Sequence, residues 1–358
     1  MSAGPLLRVR APAKINLSLR IVGTTPDGYH ELRTVFQSLA LHDTLTFWER
    51  PGPFHVMCDD PSCPADETNL VWRAAETIAR AAGSAGPPRD IVIRIAKRIP
   101  MQAGLGGGSS DAAAALRGFA ALWGVAIPRA RMRALAAAIG ADVPFFLEGG
   151  TALGLDRGDL VFPLIDAPAA WVTLVRPAFG VSTRAAFGWW DEGASLGSRG
   201  SLGSLGSRGS LGSLGSRGSL GSRGSLGSRG SLGSRGSLSS RGSLGSLGSS
   251  RSAGSAGSEG SSGWTGLFGS SGGLMDEVVN DLQPAVVRRH PEIARMISAL
   301  RRLGASQAAM SGSGSAVFGL FASRASAQRA ARALSTRSWR ALVTRTVNRV
   351  QYQALAAS

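Results

Sequence analysis

The chain is short of cysteine and of long apolar runs, and each shortage removes a class of protein. Two cysteines, Cys58 and Cys63, are too few for a disulfide framework. Of the four histidines only His55 lies near them in sequence, which leaves a tetrahedral metal site short of partners. Two free thiols in a reducing compartment are expected. The most apolar stretch, Ala112 to Ile127, is broken by Arg117, Gly118 and Gly124, and it falls short of the ~20 apolar residues that a membrane span requires. It reads as a buried helix. The N-terminus MSAGPLLRVRAPAK has no apolar run ahead of a small-residue cleavage site, so a cytoplasmic protein with no membrane partner is expected.

Acid is scarce as well. Asp and Glu number 23 against 39 Lys and Arg, a net charge of +16, which on its own suggests a nucleic-acid or anionic-membrane partner. The distribution argues otherwise. Residues 194–263 hold eight arginines and one acid, and so carry +7 of the +16. That segment repeats Ser-Leu-Gly-Ser-Arg-Gly from Ser195 towards Ser250 and then decays into Ser, Gly and Ala. Leucine is the one large apolar residue of the repeat, which leaves too little apolar area to offset the entropy of ordering. Aromatic residues that would stack on bases are missing from it. A flexible insert outside any core is expected, and no nucleic-acid partner. With 43% hydrophobic and 17% charged residues, the rest of the chain has the composition of a globular protein.

Outside the insert, strand-like and helix-like stretches alternate. Leu7 to Val22 has period two, with Ile15, Leu17, Leu19 and Ile21 on one face and Lys14, Asn16, Ser18 and Arg20 on the other. Ile91 to Ile95 is a second strand. Apolar residues at three- and four-residue spacing predict a helix from Asp111 to Trp123, stopped by Gly124. A second helix runs from Pro128 to Gly140. Beyond the insert, Glu277 to Val287, Pro291 to Leu303 and Ala325 to Leu334 read as helices, and Ala316 to Phe321 and Trp339 to Arg345 as strands. The mixture is α+β, in two lobes.

The segment with most chemistry is Pro100, Met101, Gln102, Ala103, Gly104, Leu105, Gly106, Gly107, Gly108, Ser109 and Ser110, lying between a strand and a helix. Its four glycines allow positive φ and close approach of a ligand to the backbone. Ser109 and Ser110 are placed to cap the helix, whose N-terminal amides point at an anion. The segment lacks both the Gly-Lys-Ser/Thr ending of a Walker loop and the dinucleotide glycine spacing, so a different phosphate cradle is implied. A tight turn with no ligand would need only one or two glycines.

This segment resembles the second motif of the GHMP kinase superfamily, and its Gly-Leu-Gly-Gly-Gly-Ser-Ser-Asp-Ala-Ala form is similar to that of the branch acting on a cytidine-diphosphate-linked methylerythritol. The order of the other motifs agrees. Pro12-Ala-Lys-Ile-Asn-Leu17 resembles the first motif, Asp27-Gly-Tyr-His-Glu31 the substrate loop, Gly140-Ala-Asp-Val-Pro144 the catalytic Asp segment, and Ser311-Gly-Ser-Gly-Ser315 the third motif. The resemblance covers the chain apart from the insert.

The resemblance implies an N-terminal domain like domain 2 of ribosomal protein S5 over residues 1–165. It also implies a ferredoxin-like C-terminal domain over 166–358, interrupted by 194–263. It implies ATP as co-substrate with Mg²⁺, and phosphorylation of the substrate's 2-hydroxyl in the non-mevalonate route to isopentenyl diphosphate, by a monomer or homodimer. Asp142 on its own reads as a helix N-cap or as a base; the resemblance makes it the base that takes the hydroxyl proton, with Lys14 as its electrostatic partner. Pro100 to Ser110 would bind the ATP phosphates. Asn16, Tyr29, His30 and Phe187 would bind substrate, Tyr29 and Phe187 stacking on cytosine while His30 reads its edge. Without the resemblance, Tyr29 and His30 read as a buried tyrosine and a surface histidine. Asn69 and Leu70 align with the adenine side. Homoserine or mevalonate kinases of the same superfamily are the rival reading, and an RNA-associated protein using the Arg-Gly-Ser tract is a more distant one. Deletion of Ser195 to Ser262 is expected to leave turnover within about threefold of wild type in an ADP-release assay, because lengthening an existing loop costs little.

Overall fold

The computed structural model describes residues 4–84, 86, 88–201 and 278–357. Strand β1 (Leu7–Thr24) pairs antiparallel with β2 (His30–Pro53) along nearly its whole length, from Leu7 opposite Phe47 to Thr24 opposite His30. The register shifts between Pro12 and Lys14 and again between Asn16 and Ser18, so bulges flank Lys14 and Asn16 and re-aim them. Strand β3 (His55–Cys58), helix α1 (Leu70–Ala81) and strand β4 (Arg89–Ala96) follow. Next come α2 (Gly107–Leu122), α3 (Arg129–Ile139), the one-turn α4 (Phe145–Glu148), β5 (Thr151–Leu155) and β6 (Leu160–Pro163). The first sheet has the order β3-β4-β2-β1, with β5 pairing β2 and β6. Helices α1 and α2 pack on it through Val71, Ala75, Ile78, Leu116 and Phe119, which are fully buried.

The second lobe contains β7 (Trp171–Pro177), α5 (Thr183–Ser201), β8 (Val279–Asn280), α6 (Gln283–Arg289), α7 (Glu292–Arg302), β9 (Gln307–Met310), β10 (Val317–Phe321), α8 (Arg324–Leu334) and β11 (Trp339–Arg345). Its sheet is antiparallel in the order β11-β7-β10-β9. That is the central-first-strand arrangement of a ferredoxin-like unit, as expected. Strand β8 instead extends the first sheet by pairing parallel to β1 at Ser18 and Leu19. The last helix, α9 (Arg349–Ala356), packs back against β1 and β2. A third core cluster, with Ile15, Leu17, Val35 and Leu105 on one side and Val172, Leu174, Phe318 and Leu320 on the other, joins the two sheets.

Lys14 and Asn16 share the face of β1 opposite Ile15 and Leu17, as expected, and both are buried, among Phe36, Gly106 and Gly312. Four other expectations change. Helix α2 begins at Gly107 rather than Asp111, since Gly106 enters it at φ +71°. Ser109 and Ser110 therefore lie within the first turn and do not cap it; the N-cap is Gly106, with no side-chain cap bond. The helix expected over Glu277 to Val287 is a two-residue strand followed by α6. Asn280 is the cause, donating to the Met310 and Gly312 carbonyls at 2.9 and 2.8 Å and accepting from the Leu282 amide at 3.0 Å, a local bonding pattern that competes with helix. Finally, α5 continues to Ser201, past the start of the 194–263 segment. The rest of that segment, and the flexibility expected of it, lies outside the described residues.

Beneath α2 lies a buried charge cluster. Lys97 Nζ donates to Asp43 Oδ2 at 2.5 Å and to Asp111 Oδ2 at 2.8 Å, and Asp43 Oδ1 accepts from the Ile99 amide at 2.8 Å. Desolvation pushes the Asp111 carboxyl up to about 7, Lys97 pulls it back, and Asp43 adds to the rise. Burial alone would lower Lys97, but the two carboxylates more than offset this and hold it above the usual lysine range. Nearby, burial and the neighbouring Cys58 push the Cys63 thiol up to about 12, so it rests as the free thiol expected.

The two lobes interlock at glycines. Gly104 has φ +72°, and a β-carbon there would sit 2.0 Å from the Ser311 carbonyl oxygen. Ser311 Oγ donates to the Gly104 carbonyl at 3.0 Å, and the Ala316 amide donates to Ala103 at 3.2 Å. Gly104→Ala is expected to destabilise the protein by more than about 2 kcal/mol in urea unfolding, combining left-handed strain with a backbone clash. Lys97→Met is expected to cost about 3–5 kcal/mol in the same measurement, because two buried carboxylates lose their counter-charge.

Candidate active site

Lys14 is the centre of the site. Its ammonium lies 3.3 Å from Asp142 Oδ2, with 4% of the lysine side chain and 33% of the aspartate side chain exposed. Nζ also donates to Asn16 Oδ1 at 2.6 Å, Asn16 Nδ2 donates to Thr34 Oγ1 at 2.7 Å, and the Thr34 hydroxyl donates to the Ser18 carbonyl at 2.7 Å. The Phe36 ring lies with its centroid 5.4 Å from Nζ. The ammonium only donates, the Asn16 amide accepts with its oxygen and donates with its nitrogen, and the Thr34 hydroxyl does both, so the bonds run one way and hold the ammonium at one place. Asp142 sits on the turn between α3 and α4, closed by the Val143 amide bonding to Gly140 at 3.0 Å. The N-cap of α4 is Pro144, so Asp142 is not a cap and its carboxylate faces Lys14.

The pair opens into a cavity of about 600 Å³ whose wall includes Lys14, Asn16, Asp142, Phe187 and every residue from Pro100 to Ser109. Such a volume suits a small-molecule site. The glycine segment reaches it because side chains there would collide with the site: a β-carbon on Gly106 would lie 2.7 Å from the Phe146 ring and 3.1 Å from Lys14 Cγ. Gly312 of the third glycine-rich loop closes over the same point, 3.3 Å from Lys14 Nζ by the same construction. The N-terminus of α2, with its free amides, thus lies beside the Lys14–Asp142 pair, the electrostatic setting for a polyanion. Ser109 lines the cavity. Ser110 does not; it is buried, and its hydroxyl donates to the Pro12 carbonyl at 2.7 Å, tying α2 to β1. That tether explains why Ser110, alone of the segment from Pro100, faces away from the cavity.

At the other end of the cavity, His30 and Tyr29 stand beside the lining rather than in it. His30 stacks on Phe187 with centroids 4.6 Å apart. Tyr29 is about half exposed, and the Arg157 guanidinium lies over its ring at 4.9 Å. Asn69 caps α1 by accepting from the Val71 amide at 2.9 Å, and Leu70 lines the cavity. Sequence reasoning missed Thr34, Phe36, Arg157 and Asn280. Thr34 and Phe36 belong to no motif, and only the long pairing of β1 with β2 puts them next to Lys14. Arg157 carried a usable signal, standing between Asp156 at φ +59° and Gly158 at φ +96° in a tight turn. Among the described residues no cluster of three or more His, Cys, Asp or Glu is placed to hold a metal, and no helix is long and apolar enough to cross a membrane.

Comparison with known proteins agrees with this geometry. The GHMP kinases N terminal domain matches residues 69–150 and the GHMP kinases C terminal domain residues 266–341. A collagen triple helix repeat matches residues 192–250. Glycine recurs at every third position from Gly197 to Gly236, but the matched stretch has no proline, which collagen uses to hold its extended chains; that match follows the glycine period. A 4-diphosphocytidyl-2-C-methyl-D-erythritol kinase of Moorella thermoacetica is 33% identical over 342 residues, spanning 96% of this chain and 99% of its own. One of Solibacter usitatus is 36% identical over 325 residues, spanning 90% and 84%. A crystal structure of 4-(cytidine 5'-diphospho)-2C-methyl-D-erythritol kinase superposes with a TM-score of 0.65 at 28% identity, over 95% of this chain and 99% of that one. Homoserine kinase from Cytophaga hutchinsonii, at 16% identity, shares the fold with a TM-score of 0.57 over 98% of each chain. Across both lobes, then, this chain belongs to the GHMP kinases, and within them to the 4-diphosphocytidyl-2-C-methyl-D-erythritol kinase family.

Proposed function

We propose that the chain transfers the γ-phosphoryl group of ATP to the 2-hydroxyl of 4-diphosphocytidyl-2-C-methyl-D-erythritol, releasing ADP and the 2-phosphate. The observation that carries the reading is the Lys14–Asp142 pair at 3.3 Å in the cavity walled by Gly104 to Ser109. Phosphoryl transfer asks a protein mainly for positioning and charge stabilisation. Asp142 accepts the hydroxyl proton as the oxygen attacks the γ-phosphorus, and the bond to the ADP oxygen breaks. Lys14 stays charged throughout and stabilises the transferring group. The amides of Gly106 to Ser109 at the start of α2 hold the β- and γ-phosphates.

Mg²⁺ bound with the nucleotide would supply neutralisation of phosphate charge. Such an ion keeps most of its ligands from phosphate and water; Ser109, the cavity-lining serine at the start of α2, is the group that would reach it, beside the single lining carboxylate, Asp142. Residues 1–165 supply the catalytic pair and the phosphate cradle. Residues 166–358 supply Phe187 and the Gly312 loop. Tyr29, His30 and Phe187 form the cytidine end; a homoserine or mevalonate kinase has no flat base for these rings to hold.

An ADP-release assay with the cytidine substrate, homoserine and mevalonate tests the reading. Turnover is expected with the first alone, and faster turnover with either of the others overturns it. Asp142→Asn, which keeps the shape and removes the proton acceptor, is expected to lower kcat by about 10²-fold or more.

A further inference from the structure

The His30 ring is enclosed by one face of α5. Phe187 stacks on it, with 4.6 Å between centroids and 26° between planes, and Trp190 meets it edge-on at 5.5 Å. Asp191 Oδ1 lies 2.7 Å from Nε2. Positions 187, 190 and 191 are i, i+3 and i+4 on a helix, and so share a face; that face converges on a side chain 161 positions earlier in the chain. Helix α5 is braced from behind, where Glu192 pairs with Arg289 of α6. Of the His30 side chain 13% is exposed, but of Asp191 52%. A half-exposed carboxylate adds little to folding, so the effect of this contact falls on the ring it holds.

We propose that Asp191 is a positioning residue for base selection: it fixes the hydrogen on Nε2 of His30 and leaves Nδ1 as the one ring nitrogen offered to the substrate, an acceptor for the exocyclic amino group of a cytosine-type base. The inference rests on the cytidine reading above. A neutral imidazole has one N–H and one lone pair, and a carboxylate on one nitrogen determines which is which. With Nε2–H held by Asp191, Nδ1 presents a lone pair. Cytosine answers it with an N–H at position 4, whereas uracil carries a carbonyl there, and two lone pairs repel. Without Asp191 both tautomers are populated, and in one of them Nδ1–H meets the cytosine amino group donor to donor. Phe187 and Trp190 set the plane of the ring, and Asp191 sets its polarity.

The test uses the intact protein. In ¹⁵N-histidine NMR, with the His30 signal assigned from His30→Ala, wild type is expected to show the Nε2–H tautomer and Asp191→Ala a mixture. In steady-state kinetics Asp191→Ala is expected to raise KM for the cytidine substrate by about tenfold, while kcat changes by less than about twofold. The same variant is expected to narrow the preference over the uridine-diphosphate analogue, and Asp191→Glu to restore part of both. An Nδ1–H tautomer in wild type overturns the proposal, as does an unchanged KM and base preference in Asp191→Ala. His30→Ala separates the two layers. If it leaves KM unchanged, the cytidine reading itself fails; if it raises KM and Asp191→Ala does not, only the role of Asp191 fails.

Discussion

An ammonium almost out of reach of water sets the terms for the rest of this molecule. Burying Lys14 costs several kcal/mol of hydration, and the surroundings offset it with the Asp142 carboxylate, the Asn16 amide oxygen and the face of Phe36. Each partner comes from a different part of the chain. Asn16 is on the same strand, Phe36 on its neighbour, and Asp142 on a turn beyond α3, while Gly312 of the second lobe closes the remaining side. The two lobes must therefore meet correctly for the lysine to be tolerated at all. The bulges that flank Lys14 and Asn16 are the backbone adjustment that turns both side chains inward.

Most elements were legible in the sequence because their periodicity is local. β11 has the bounds expected, α7 is one residue shorter at each end, and α8 and β10 differ by one residue at the start alone. The failures share a cause: a contact distant in sequence outweighed the local pattern. Gly106, left-handed and pressed against Phe146 and Lys14, let α2 start four residues early. Asn280, an ordinary polar residue by composition, spends its side chain on the Met310 and Gly312 carbonyls and so cuts short a helix that apolar spacing supported. The buried Lys97 cluster was invisible for the same reason, since Asp43 is on β2, Lys97 just beyond β4 and Asp111 on α2.

The motifs were more legible than the side chains that support them. Close approach of backbone to ligand demands glycine, so Gly104 and Gly106 announce themselves, whereas a threonine that bonds to Asn16 looks like any other threonine of β2. Ser110 shows the limit of reading by motif. It stands in the phosphate segment, and yet its hydroxyl binds the Pro12 carbonyl, holding the cradle against β1 from behind.

The position of α9 has a consequence for biosynthesis. Tyr352 fills the space that Gly149 leaves open, a β-carbon on that glycine falling 2.0 Å from its ring, and the tyrosine hydroxyl donates to the Phe146 carbonyl at 2.5 Å. Phe146 in turn packs against Gly106 in the phosphate segment. The support behind the first-made lobe is therefore delivered by a helix that leaves the ribosome after the strands of the second lobe. During vectorial synthesis the N-terminal lobe waits, its α4 turn uncovered, until translation has passed Tyr352. A nascent chain halted before that point carries both Lys14 and Asp142 and still lacks the brace behind them.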